Sequence, residues 1–236
     1  FDSDGKIKKN YQINGAITKA KFNIFNKAKI ENLNLLFEIS KNQLIVRKIE
    51  TELNNIKLKS SLIKIEEKKN IFFIKGQIIN DQQNFDIDKL KPIIGNLSNT
   101  VEIEKIDFNS INIFSFNVNK RLKLNDLKIE TNLNLKNLKI LKNPFNLKSF
   151  FPNYTKQIKF EDHKIKIKFN KDILDIKGEG DIYIGGELEQ ISYKINNNDG
   201  KIAFDTKLNI KNNQLIINFL DYKKKKGDGS DILLKG

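Results

Sequence analysis

Ala20-Lys21-Phe22-Asn23-Ile24 and, further on, Leu33-Asn34-Leu35-Leu36-Phe37-Glu38-Ile39 set the pattern for the whole chain. Ala20, Phe22 and Ile24, then Leu33, Leu35, Phe37 and Ile39, fall on alternate positions, with Lys21, Asn23, Asn34 and Glu38 between them. Successive side chains of a strand point to opposite faces, so this spacing predicts half-buried antiparallel strands, apolar on one face and solvated on the other.

The same period continues outward. Leu44 to Ile49, Ile56 to Ile65 and Ile71 to Ile79 read as further strands, and Lys41-Asn42, Asn54-Asn55 and Lys68-Lys69-Asn70 between them suit turns. Strand pattern resumes from Ile103 to Val118, where changes of parity predict a turn or bulge near Asn109 and again near Ile113. After position 156 come Ile165, Ile167 and Phe169, then Ile182 and Ile184, Ile191 to Ile195, Ile202 to Ile210, and Leu215 to Phe219. Gly185-Gly186 and Asp199-Gly200 supply the positive φ that tight hairpins require.

Two stretches break the alternation. Between Asp81 and Thr100, Phe85, Ile87, Leu90, Ile93, Ile94 and Leu97 are spaced for a short amphipathic helix, near 86–97, limited by Pro92. Residues 142–155 carry Pro144, Pro152 and clustered aromatics and read as a connection. The expected organisation is a β segment over 1–141, a connecting segment over 142–155 and a second β segment over 156–236.

Composition narrows the function. The formal charge is +14, yet only Arg47 and Arg121 are arginines, and the abundance of Lys, Asn and Ile fits an AT-rich coding bias. Nucleic-acid readers rely on arginine forks and exposed aromatic platforms, whereas these aromatics alternate inside strands, so nucleic acid is not an expected partner. With no cysteine there is no disulfide framework and no thiolate nucleophile. No run approaches the roughly 18 apolar residues of a membrane-spanning helix. The chain starts at Phe1 and contains no methionine, so a preceding signal peptide or membrane anchor is expected.

Nothing in the sequence assembles catalysis. His163, the single histidine, opens a strand in Glu161-Asp162-His163-Lys164 and reads as a turn residue rather than a general base. Glu66-Glu67, Asp86 with Asp88, and Glu187 with Glu189 neighbour lysines and read as a solvated face. Asp2-Ser3-Asp4-Gly5 and Asp228-Gly229-Ser230-Asp231 lack the downstream glutamate of a calcium loop. Gly178, Gly180, Gly185 and Gly186 precede strand pattern, not the helix a phosphate cradle needs. Lys223 to Lys226, after Phe219-Leu220-Asp221-Tyr222, read as a solvated turn, with contact to anionic head groups as the alternative. What is left is the long apolar face, which a sandwich, a closed barrel or a sheet curled over an acyl-chain groove would each satisfy.

Ile13-Asn14-Gly15-Ala16-Ile17 with Lys21-Phe22-Asn23-Ile24, the Leu33–Ile39 stretch, and Leu215 to Lys224 followed by Gly227 and Ile232-Leu233-Leu234-Lys235-Gly236 resemble the AsmA-like family, in its branch related to YhdP and TamB. The resemblance implies an all-β fold, a long, strongly curved antiparallel meander forming an open groove with one or two short helices. It also implies a non-catalytic part of a periplasmic protein, tethered to the inner membrane through a segment outside this chain, that carries phospholipid between inner and outer membrane. The implied partners are phospholipid acyl chains, the rest of the same polypeptide at both ends, and inner- and outer-membrane proteins; no cofactor is needed. The groove lining would be Phe22, Ile24, Leu33, Leu35, Phe37, Ile39 and Ile113 in the first part, Leu133 and Leu135 after it, and Ile167, Phe169, Phe204, Leu208 and Phe219 in the second. The rival reading is a closed β-sandwich that serves as a binding or adhesion module of the cell envelope.

Overall fold

The computed structural model describes residues 4, 11–24, 28–54, 56–85, 102–142, 146–155 and 157–236. The chain is all-β. Its strands are β1 (Gln12–Ile24), β2 (Ala28–Ser40), β3 (Gln43–Leu53), β4 (Ile56–Lys68), β5 (Ile71–Phe85), β6 (Glu102–Asn119) and β7 (Leu124–Lys142). They continue with β8 (Ile158–Asn170), β9 (Ile173–Ile184), β10 (Glu187–Asn198), β11 (Lys201–Ile210), β12 (Leu215–Ile217), β13 (Tyr222–Lys224) and β14 (Ser230–Lys235). Among the described residues β1 to β11 pair in sequence order, β14 follows β11 to make a twelve-stranded sheet, and β12 and β13 form a separate hairpin. This is a meander and not a closed barrel. Among the described residues the helical content is two 3-10 turns, Leu147–Ser149 and Asn218–Leu220. The helix expected near 86–97 lies outside the described residues.

The turns follow from local chemistry. Lys69-Asn70, Gly185-Gly186 and Asp199-Gly200 each have positive φ at both positions, the conformation that matches the twist of flanking strands in two-residue hairpins. Within the strands, Lys19 and Asn32 also have positive φ, and the β1–β2 and β2–β3 registers shift beside them. A bulge adds one residue and reverses the side-chain parity. Ile13 and Ile17 therefore share a face with Ala20 and Phe22 despite the change from odd to even positions. β6 is continuous past Asn109 and Ile113; in it Ser110 is buried, Ile111 and Ile113 are exposed, and Phe114 lies over Gly76.

The chain divides into two compact units, one of residues 1–81, 111–130 and 169–171, the other of residues 82–110, 131–168 and 172–236. The first holds strand material only, among its described residues, and Ile56 is its one fully buried apolar side chain. In the second, Phe151, Ile158, Ile182, Ile184, Ile210 and Leu215 make a buried cluster, with Leu147, Tyr154 and Ile217 packed against it.

Candidate functional site

The registers assemble the alternating apolar residues of the first unit into rows that cross the strands. Ile13, Ile39, Leu44, Ile65 and Ile74 pair in succession from β1 to β5. Gly15, Phe37, Val46, Ile63 and Gly76 form the next row. Phe22, Ile30, Leu53 and Ile56 form another from β1 to β4. Cross-strand neighbours on one face lie within contact distance, so each row is a continuous apolar stripe. Phe37 lies across Gly15, where no side chain competes for the space. Leu33 and Leu35, opposite Ala20 and Ile17, fill positions between the rows. Ile24 pairs with Ala28 at the far end of the β1–β2 ladder.

The second unit repeats the arrangement. Ile176, Ile195 and Phe204 form one row, Gly180, Ile191, Leu208 and Ile232 another, and between them Gly178, Tyr193, Thr206 and Leu234. Leu133 and Leu135 alternate with Asn132 and Asn134, and Ile167 with Lys166 and Lys168, so the leucines and Ile167 take the face opposite to these polar neighbours. Phe169 is half-buried near the end of β8 and belongs to the first unit.

Two expected lining residues fall elsewhere. Ile113 is 50% exposed on the polar face, beside Leu62, Lys64 and Lys75. Phe219 is 80% exposed in the 3-10 turn that joins β12 to β13, off the large sheet altogether. Period-two counting assigns both to the groove, and it fails where a strand shows apolar residues on its solvated face or where a short hairpin leaves the sheet.

One end of the second unit's face is closed. Leu147 and Phe151 from the connecting segment, with Leu215 and Ile217 from β12, cover Ile158, Ile182, Ile184 and Ile210. Two buried charges hold this cover. The Glu189 carboxylate accepts from the backbone N–H groups of Lys211 (2.7 Å), Asn212 (2.8 Å) and Asn213 (2.6 Å) and from the Asn213 side-chain amide (3.0 Å). The Lys224 ammonium donates to the carbonyls of Lys211, Asn213 and Lys225. The loop at 211–213 is thus satisfied by an anion at its N–H groups and a cation at its carbonyls, as burial of charge demands. The sequence hides this: Glu189 reads as one of a solvated carboxylate pair, and Lys224 as one of four equivalent lysines.

At the inner edge of that cover stands His163, 1% exposed, and not in a turn. A bulge at Asp162, φ 48°, turns the His163 ring onto the apolar face of β8, where it lies over Gly180. Its Nε2–H donates to the Asp181 carbonyl at 2.9 Å, leaving Nδ1 as an acceptor with no partner among the described residues. Tyr193 stacks on the ring at a centroid distance of 6.0 Å and Phe160 meets it edge-on at 5.4 Å. Burial pushes the imidazole below its ordinary pKa and the Tyr193 phenol above its own. A neutral histidine in an aromatic step is a packing element; among the described residues no nucleophile or carboxylate is hydrogen-bonded to it.

The opposite face is polar. Hydrogen bonds from Lys29, Lys64 and Lys207 hold the Glu31, Glu66 and Asp231 carboxyls below the usual range. Concave sites of about 650 Å³ in the first unit and 570 Å³ in the second open on this face, lined mainly by lysines and amides. Among the described residues no group of three His, Asp or Glu side chains is placed to hold a metal ion. Together these features define a class: an all-β protein with one large antiparallel sheet, in which each unit presents an apolar ladder on one face and the second unit's ladder is capped at one end. No protein-family model, curated protein or solved structure matches the chain.

Proposed function

We propose that this chain is a non-catalytic part of a cell-envelope protein that carries phospholipid, with acyl chains lying along the apolar rows. One observation carries the reading. Two of the rows cross β1 to β5 without interruption, yet among the described residues of that unit no helix and no second sheet covers them, and Ile56 is the one apolar side chain that is buried. Acyl chains suit such a surface, each CH₂ removed from water contributing about 0.8 kcal/mol, and their head groups need no built pocket. The resemblance to the AsmA-like family supports the periplasmic setting and transfer between inner and outer membrane. Passive movement along the rows requires neither a catalytic group nor a cofactor.

The test is native mass spectrometry with lipid extraction on the chain expressed into a bacterial periplasm. Phospholipid should co-purify and should be lost from folded Leu35→Asp and Phe204→Asp variants, whose circular dichroism stays that of a β protein. Lipid-free, well-folded protein, or full lipid retention in both variants, would end this reading.

A further inference from the structure

The β12–β13 hairpin has a fixed base and an apolar tip. At the base Leu215 is 1% exposed, Lys224 is buried on three carbonyls, and the Ile216 N–H donates to the Phe150 carbonyl at 2.9 Å. At the tip the 3-10 turn Asn218–Leu220 and the left-handed Asp221 (φ 48°) reverse the chain and leave Phe219 and Leu220 at 80% and 63% exposure. The hairpin is thus anchored at its base while two large adjacent apolar side chains stand exposed at its turn.

We infer that this tip inserts into the interfacial layer of a bilayer that contains anionic lipid. The charge at the hairpin's base is complementary: Lys223 and Lys225 have no acidic partner among the described residues, Lys226 pairs with Glu187 at 2.5 Å, and Asp221 is the one acid of the hairpin. Cations at the base of the hairpin with a phenylalanine and a leucine at its tip match head-group phosphates above acyl chains. A convex turn enters a lipid surface readily, whereas an apolar protein groove would have to be shaped to receive it. The inference concerns the hairpin alone, so it and the acyl-chain reading of the sheet can fail separately.

The chain has no tryptophan, so a Phe219→Trp variant of the full chain carries a single reporter. On addition of phosphatidylglycerol–phosphatidylcholine vesicles its emission should move to the blue and be quenched by lipids brominated on the acyl chain. The control, Ile113→Trp, places the same reporter on the polar face and should not respond. Phe219→Ser with Leu220→Ser should weaken vesicle co-sedimentation by at least about ten-fold. Lys223→Glu and Lys225→Glu should each cost about five-fold on anionic vesicles and little on pure phosphatidylcholine. The inference is overturned if the Phe219→Trp emission does not respond to vesicles or if the Ile113→Trp control responds equally. It is also overturned if the Phe219→Trp emission shifts with protein concentration alone, which would make the tip a contact between copies of the chain.

Discussion

The two ends of the β9–β11 ladder are built from the same kind of strand and have opposite fates. At one end Ile184 and Ile210 are 2% and 1% exposed; at the other, on the same apolar face, Ile202 is 65% exposed. One difference is in the ladder itself: β14 flanks β11 over Asp205–Ile210 and stops short of Ile202. The other lies in what crosses them: residues of the connecting segment and of β12 cover the first end, and no described element of the unit covers the second. Strand patterning therefore makes an apolar surface, and the covering segments decide whether it becomes core or remains available.

The strongest way to break the comparison is to release the cover. Glu189→Ala strips four donors of the 211–213 loop of their acceptor and leaves Lys224 as a buried charge without its counterpart, which should cost about 3–5 kcal/mol in urea unfolding. If the variant unfolds like the parent, the loop is not what holds the cover down.

Truncating the isoleucines sharpens the same contrast. Ile184→Ala and Ile210→Ala should each cost about 2–5 kcal/mol, whereas Ile202→Ala should stay within about 1 kcal/mol of the parent. Equal losses at both ends would mean that the open end is covered in solution.

At the boundary between the ends, Gly180→Ala places a methyl group 2.7 Å from the His163 Cα, a backbone atom that cannot swing away. A loss of about 1–3 kcal/mol is expected, with near-ultraviolet changes from Tyr193, which stacks on the displaced ring. An unchanged spectrum would show that His163 does not depend on the glycine beneath it.

The smallest effect is the pH response of that histidine. Its folded pKa is depressed by burial, so the unfolded chain takes up the proton first as pH falls. The contribution of the neutral ring is complete above about pH 6.5, the ordinary histidine value, and declines as pH drops toward the lower folded value. The urea midpoint should fall between about pH 7.5 and about pH 5.5 in the parent and hold steadier in His163→Leu. Equal slopes would assign the pH response to other groups.

Much of the fold is legible because period two is a direct record of a pleated strand. Phe37 and Ile39, Leu208 and Phe204 stand on the face their spacing predicts. The hairpins at Gly185-Gly186 and Asp199-Gly200 are equally readable, since positive φ at both turn positions favours those residues. Ile113 and Phe219 escape the same counting because apolar identity does not say which face is covered. His163 reads as a turn residue because a bulge at Asp162 has no sequence signature distinct from a turn.

By itself, then, the sequence determined an antiparallel all-β meander with one apolar and one lysine-rich face, because alternation, turn residues and charge are local properties of the chain. Only the tertiary structure decided which stretch of the apolar face is sealed, that Glu189 and Lys224 are buried on the same loop, and that Phe219 stands free at a hairpin tip. Those outcomes depend on contacts between residues far apart in the chain, such as Phe150 with Ile216 or Glu189 with Asn213, and local spacing carries no record of them.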